Sequence, residues 1–441
     1  MSKIGVIGLW HLGSVYSAGL SELGHDVIGF EDKPEALAKF REGKAPLFEP
    51  GLDELLKKHI KSGSLKFTDN FEELETREII IVAFDTPVDE RDRSDLTKII
   101  ETIETIAKIK QSPFTLVVSS QVPVGSCDEF YRLIKKRRPN LQFDIAYIPE
   151  NLRLGDALNI FLKADRFVVG ANNKDVYELI EKVLEGTKAP IVKVSLRSAE
   201  AAKHALNAFL ATSVSFINEL ADVCELVGAD VMEVSEALKS DVRIGRKAFL
   251  NAGLGFAGGT LARDLITLTD ISHKAGMELP VIEGVLKTNA TRPDKAVSRI
   301  VKAVGPISDD TTVTVLGLTY KPGTSTLRRS ISLEIIKRLR RQGIKVKAFD
   351  PKADLSEIGK PEFEPCDSLE QAVQGSNAII IITGWPEFKD LDYAPLLEKM
   401  SKPVILDLIN FASPESRQKA LKLGFCYLGT GIGEVHHETK K

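Results

Sequence analysis

The chain predicts an α/β fold in which two doubly wound sheets are joined by a central helical domain. Three observations predict it. Apolar runs of strand length alternate with helical periodicity from Lys3 to Gly170, and the alternation returns from Thr312 to Asp407. Between them, residues 198–228 carry the longest uninterrupted helical pattern, and helical patterns continue to about residue 303. The first strand also leads at once into a glycine turn and a helix, the start of a βαβ unit. Domains are expected at 1–196, 197–305 and 306–441, in keeping with ~100–200 residues per domain.

The elements follow in order. Residues 3–8, K-I-G-V-I-G, read as a buried strand, Leu12 to Leu23 as a helix closed by Gly24, and His25 to Phe30 as a strand ending in Glu31 and Asp32. The turn supplies Gly8 and Gly13 of a G-x-G-x-x-G dinucleotide fingerprint, but position 10 is tryptophan. The middle glycine normally lets backbone meet a pyrophosphate with no Cβ between them, so Trp10 either swings outward or fills part of the groove. Glu31, about twenty residues on, stands where a carboxylate accepts hydrogen bonds from a ribose. The plainer alternative is that both glycines only let a helix pack on a sheet.

Further strands are expected at Glu78–Phe84, Phe114–Ser120, Phe143–Ile148 and Arg166–Gly170, completing a parallel sheet. The pieces E-P-G-L (49–52), D-T-P (85–87) and V-P-V-G (122–125) fall in inter-element loops, where open α/β sheets collect ligand sites. Cys127 follows the last of them near an expected helix N-terminus, where a thiol pKa can fall; helix packing is its more ordinary role. In the long helix Ser198 is the expected N-cap and Gly228 the stop. Lys203 and Asn207, four apart, share a face that Leu210, Val214 and Asn218 extend.

Asp241-Val242-Arg243-Ile244-Gly245 and Lys247 to Asn251 then lead into Gly253–Asp264, G-L-G-F-A-G-G-T-L-A-R-D. Four glycines in seven residues let a backbone approach a ligand closely, and the helical run that follows suits an anion at a helix N-terminus. Strands Thr312–Leu318, Val346–Asp350, Ala378–Thr383 and Pro403–Asp407 form the second sheet. Its first loop, 317–330, brings Lys321 and Arg328 to the start of a helix, an arrangement that favours phosphate. The closing H-H-E-T-K-K reads as a loose tail.

A net charge of −3 gives no electrostatic case for nucleic acid or an anionic membrane. The cysteines Cys127, Cys224, Cys366 and Cys426 lack metal-site spacing, so no metal is expected. With no apolar run of ~18 residues and no signal-peptide core at the start, no membrane partner is expected and the location is read as cytoplasmic.

In the same order over essentially the whole chain, these motifs resemble the UDP-glucose/GDP-mannose dehydrogenase family. Gly253–Asp264 is similar to the family's G-x-G-F-G-G-S-C-F-x-K-D, with Thr260 in place of the nucleophilic cysteine. Ser120–Gly125 is similar to S-T-V-P-x-G, with Gln121 for a threonine that orders water. Pro149–Gly155 is similar to P-E-F-L-R-E-G, keeping Glu150 and replacing the second glutamate by Leu154. A-A-K-H-A-L-N-A-F-L-A-T resembles the family's central helix. The loop 317–330 resembles G-L-x-F-K-x-x-T-D-D-x-R-x-S, with Ser325 and Thr326 for the aspartates.

The resemblance implies two Rossmann-like domains, the first binding NAD and the second a nucleotide sugar, with a UDP-sugar favoured. It implies cofactor contacts at Gly8, Trp10, Gly13, Glu31 and Arg328. Substrate contacts are implied at Glu150, Gly255 and Lys321, with the backbone of Phe249, Leu250 and Asn251 holding the nucleotide. Arg243 would reach the sugar bound in a neighbouring subunit, so at least a homodimer is implied. Lys203 and Asn207 would stabilise an oxyanion, and Asp264 would support water and proton transfer. A threonine hydroxyl has no useful thiolate-like form near neutral pH, so Thr260 points to two-electron chemistry with a carbonyl product or a transient keto intermediate. Two alternatives stay open: a catalytically silent nucleotide-sugar-binding protein, which a Trp10 that blocks NAD would support, and a member of the wider hydroxyacid-dehydrogenase-like group. The C-terminal sheet and the Arg243 motif fit the last poorly.

Overall fold

The computed structural model describes residues 1–87, 94–257 and 259–432; Gly258 of the glycine loop and the H-H-E-T-K-K tail lie outside the described residues. The chain divides into two compact units, Met1–Leu206 and Asn207–Lys441. The expected domain start at 197 and this division both fall within one long helix.

In the first unit, strands β1 (Lys3–Ile7), β2 (Asp26–Phe30), β3 (Leu65–Thr68), β4 (Ile79–Val82), β5 (Phe114–Val118), β6 (Phe143–Tyr147), β7 (Phe167–Ala171) and β8 (Ile191–Val194) form one sheet. Their order is β3-β2-β1-β4-β5-β6-β7-β8. Helices α1 (His11–Glu22), α2 (Pro34–Arg41), α3 (Leu52–Ser62), α4 (Thr97–Ile109), α5 (Ser126–Arg137), α6 (Ala157–Leu162) and α7 (Lys174–Leu184) cover it, and α8 (Leu196–Val227) leads out. The first six strands have the doubly wound order that puts ligand sites beyond the strand ends between β1 and β4. All four residues of β4 are buried, as a strand covered on both faces requires.

Two expectations are corrected. The first sheet is not wholly parallel, because β6 and β7 pair antiparallel, Ala146 with Ala171 and Tyr147 with Gly170. Ser198 is not the cap of the long helix. That helix begins at Leu196, whose side chain is buried in the core, and Ser195 accepts from the Ser198 N–H at 3.3 Å.

The second unit continues α8 and adds α9 (Val231–Ser240), α10 (Thr260–Lys274) and α11 (Pro280–Val304). Its sheet consists of β9 (Thr312–Leu316), β10 (Lys345–Phe349), β11 (Glu364–Pro365), β12 (Ala378–Ile381), β13 (Val404–Asp407) and β14 (Cys426–Gly429). The order is β11-β10-β9-β12-β13-β14, with every pairing parallel. Helices α12 (Ile331–Arg341), α13 (Leu369–Val373), α14 (Ala394–Leu397) and α15 (Pro414–Lys422) complete the second doubly wound fold.

Two carboxylates, one half-buried and one buried, fix its loops. Asp350, just after β10, accepts from the N–H groups of Leu318 and Thr319 at 2.7 and 2.9 Å and from Trp385 Nε1 at 3.0 Å. Asp407, fully buried at the end of β13, accepts from the N–H groups of Phe411 and Ala412, each at 2.8 Å. Among the described residues, no helix is long and apolar enough to cross a membrane, and no cluster of three His, Cys, Asp or Glu could hold a metal.

Candidate active site

In the first unit the glycine turn joins β1 to α1 at backbone contact. Gly8 has φ 95°, and a Cβ there would lie 2.9 Å from Ala83 C and Phe84 N, just past β4. A Cβ on Gly13 would fall 2.2 Å from the Gly8 carbonyl oxygen. Both glycines are therefore demanded by packing, and the same close packing is what a dinucleotide fingerprint needs. Trp10 precedes α1 with its indole 52% exposed, so the ring is not locked in the core and can turn aside at little packing cost. Glu31 ends the neighbouring strand half-buried; burial raises its carboxyl pKa, partly countered by the Lys33 N–H at 3.0 Å. The turn, the freedom of Trp10 and the acidic strand end together fit a dinucleotide.

The E-P-G-L motif has a structural task that its sequence did not reveal. Glu49 is buried and accepts from the N–H groups of Gly155 and Ala157 at 2.9 and 2.7 Å, and it pairs with His11 Nε2 at 3.0 Å. It thus ties the first residue of α1 to the loop after Glu150. Thr86 of D-T-P donates to the Gln121 carbonyl at 2.8 Å, joining two further loops that sequence singled out.

Lys203 of α8 is only 5% exposed; its ammonium donates to the Glu150 carbonyl and lies 3.6 Å from the Glu150 carboxylate. A buried cation is tolerated where such partners replace water. A helical turn earlier, the buried Glu200 accepts from the N–H groups of Gly125 and Cys127 and so caps α5. Burial, then the Glu200 charge, pushes the Cys127 thiol well above its ordinary range. The thiol pKa therefore does not fall at this helix N-terminus, and helix packing is what Cys127 does. Tyr16 Oη lies 2.9 Å from Ser119 Oγ, and burial pushes its phenol up to about 12.

In the second unit the Asn207 amide donates to Asp264, both buried. The glycine loop reaches α10 under firm constraint. Asn218 accepts from the Gly253 N–H at 2.8 Å, and Asn289 clamps Phe256 from both sides, accepting from its N–H at 2.8 Å and donating to its carbonyl at 3.0 Å. Gly255 has φ 90°, and a Cβ there would meet Asn289 Oδ1 at 2.3 Å, so the clamp requires glycine. Arg292, buried and held by Asp222 at 2.8 and 2.9 Å, backs the same loop. Sequence did not single out Asn289 or Arg292; both act on residues more than thirty positions away. Thr260 opens α10 exposed to solvent, and among the described residues no side chain hydrogen-bonds its hydroxyl.

The remaining residues are separately placed. Leu250 is buried, its carbonyl accepting from Ser235 at 2.6 Å, and Asn251 accepts from Lys239 at 3.1 Å, whereas the Phe249 side chain is half exposed. Arg243 is exposed and held by Asp241 of its own chain, with bonds of 3.0 and 2.6 Å. Lys321 is half-buried with its ammonium 5.9 Å from the Tyr320 ring centre, and Arg328 is exposed.

Comparison with known proteins gives the context. Three models of the UDP-glucose/GDP-mannose dehydrogenase family match: its NAD binding domain over residues 2–188, its central domain over 197–291 and its UDP binding domain over 314–414. The chain is 34% identical to a UDP-glucose 6-dehydrogenase of Bacillus subtilis, covering 98% of this chain and 93% of that one. It is also 34% identical to a UDP-glucose 6-dehydrogenase of Rickettsia bellii, covering 97% and 99%. Among solved structures it resembles a UDP-glucose dehydrogenase of Pyrobaculum islandicum, with a TM-score of 0.87 at 29% identity over 98% of both chains. A UDP-D-ManNAc dehydrogenase of Pyrococcus horikoshii superposes with a TM-score of 0.85 at 26% identity, over 98% of this chain and all of that one.

Proposed function

From the premise that the chain belongs to the UDP-glucose/GDP-mannose dehydrogenase family, we propose that it oxidises the sugar of a UDP-sugar and stops after removing two electrons. The observation that carries the reading is an imbalance. The charge-stabilising residues are firmly built, with Lys203 against Glu150 and Asn207 against Asp264, while Thr260 replaces the nucleophile and, among the described residues, no side chain hydrogen-bonds its hydroxyl. NAD, when bound, supplies the hydride acceptor.

The protein's own residues do the rest. Gly8 and Gly13 let the backbone approach the pyrophosphate, Trp10 turns aside, Glu31 accepts from a ribose and Arg328 adds a cation to the cofactor side. The backbone of Phe249, Leu250 and Asn251, with Gly255 and Lys321, holds the nucleotide of the substrate, and Glu150 orients the sugar. Lys203 and Asn207 steady the alkoxide as the alcohol loses its proton and the carbon its hydride. Asp264 holds Asn207 in position and accepts protons. Without a thiolate, the aldehyde is not captured as a thioester precursor and leaves as the carbonyl product.

Incubation with NAD and a panel of UDP- and GDP-sugars tests this. The expected result is one NADH per sugar and a product lighter by two hydrogens; two NADH and an acid would overturn the two-electron limit. The second reading, a silent nucleotide-sugar-binding protein, requires a Trp10 that blocks the phosphate turn. Binding of the sugar with no NADH formed would establish that reading instead.

The working form is read as a homodimer in which Arg243 serves the partner's site. Phe209, Phe216 and Val223 recur at seven-residue spacing on α8 and stand 70%, 51% and 50% exposed, a stripe that a second copy of this chain would cover. Sedimentation equilibrium is expected to give a dimer that Phe216→Glu weakens at least tenfold. A monomer at all concentrations would refute it.

A further inference from the structure

Arg329 attracts no attention in the sequence, where its neighbour Arg328 occupies the patterned position. The structure separates the two. Arg329 has φ 57°, and it is one of three non-glycine residues with positive φ among the described residues. Such a backbone is costly for any residue that carries a Cβ, and strain of this kind gathers at sites of function. Its guanidinium lies against the backbone of Gly259, where a Cβ would fall 2.4 Å from Nη1 and 3.3 Å from Cζ. The family pattern has serine at that position. In this chain the room of that side chain is taken by a cation, one residue from Thr260.

We propose that Arg329 is a substrate-contacting residue, its guanidinium donating to the oxygen on the sugar carbon that is oxidised. This rests on the reading of the site given above, in which Thr260 marks where that carbon is presented. The exchange of Ser-Cys for Gly-Thr then has one physical meaning: a nucleophile is given up and a cation is brought beside the reacting carbon. As the alcohol is oxidised, its O–H proton passes to a base or water, the C–H hydride passes to NAD, and the C–O bond becomes C=O. A guanidinium never acts as the base in this step, since it stays protonated. Its contribution is a charge-assisted hydrogen bond that strengthens as negative charge builds on the oxygen, the kind of interaction whose removal costs about 100-fold in turnover.

The test uses Arg329→Gly in the full chain, because glycine accepts the positive φ without strain and the fold is expected to be kept or slightly stabilised. Turnover of UDP-glucose with NAD is expected to fall about 100-fold, and added guanidinium or methylguanidinium is expected to restore part of it. Calorimetry is expected to show UDP-glucose binding weakened while UDP itself binds as before. Gly259→Ser, which refills the space and displaces the guanidinium, is expected to lower turnover in the same direction. An unchanged rate in Arg329→Gly would overturn the proposal. So would a loss that guanidinium does not restore and that weakens UDP and UDP-glucose equally, since that is a structural effect. If the unsubstituted chain binds UDP-glucose but forms no NADH, the oxidative reading fails by itself. The comparison of UDP-glucose with UDP binding then decides on Arg329 alone: an equal effect on the two overturns its contact with the sugar, and a selective loss for UDP-glucose upholds it.

Discussion

Lys203→Met is expected to lower turnover about 1000-fold while the chain still folds and still binds UDP. Methionine keeps the length and apolar stem of the lysine, so the 5%-exposed site stays filled. What is lost is the ammonium. Glu150 does not become a stranded buried charge, because its own side chain is 25% exposed and reaches water. The loss therefore falls on catalysis more than on folding: the alkoxide no longer has its principal cation, and removal of a preorganised donor of this kind costs about 3–4 kcal/mol in the transition state. The measurement is kcat at saturating NAD and sugar, beside a thermal melt and the Kd for UDP. A kcat within tenfold of the unsubstituted chain would remove Lys203 from the chemistry. Lys203→Arg is expected to rescue little, because a planar fork is larger and directs its donors differently from an ammonium.

The sequence made this residue legible for a local reason. Lys203 and Asn207 are four apart, and i, i+4 spacing on one helix is a property of the chain alone. The glycine turn at Gly8 and the apolar runs of β1, β4 and β12 are local in the same sense, so the two doubly wound sheets could be read before any contact was known. β3, β8 and β14 were not read: L-K-F-T, I-V-K-V and C-Y-L-G are short and carry a polar or a small residue, and β8 is only partly buried. The antiparallel turn of β7 leaves no mark on composition, since F-V-V-G-A would serve either direction. The helix start moved from Ser198 to Ser195 because Leu196 is drawn into the core, a tertiary effect on a local choice between two serines.

The pairings that sequence missed all act over distance. Glu49 holds an N–H group 108 positions away, Glu200 one 75 away and Asn289 one 33 away. No spacing rule reports such pairings. Arg329 is the clearest case, because residue type cannot distinguish it from Arg328, and only the backbone angle and the space at Gly259 do.

Asp264→Ala is expected to lower turnover about 100-fold and to destabilise the fold by about 1–3 kcal/mol. Asp264 is fully buried, and the amide of Asn207, itself 6% exposed, donates to it. Removing the carboxylate leaves a buried amide donor without its acceptor, which accounts for the stability term, and frees the Asn207 side chain to rotate away from the oxygen it is proposed to steady. Asn207→Ala should give a similar loss of turnover by a different route, since it deletes the donor that the carboxylate holds in place. If the two act as one unit, the double variant is expected to be no slower than the worse single variant, which is strong non-additivity in the logarithm of kcat. Four rate constants decide it. Effects that simply add would mean that Asp264 acts on the reaction through its own proton chemistry and that its bond to Asn207 is only structural. Non-additive effects would instead assign Asp264 the narrower task of aiming Asn207, leaving the proton of the alcohol to another acceptor. That distinction matters most under the proposed two-electron reaction, in which Thr260 takes no covalent step and the rate depends on how well a few groups are aimed.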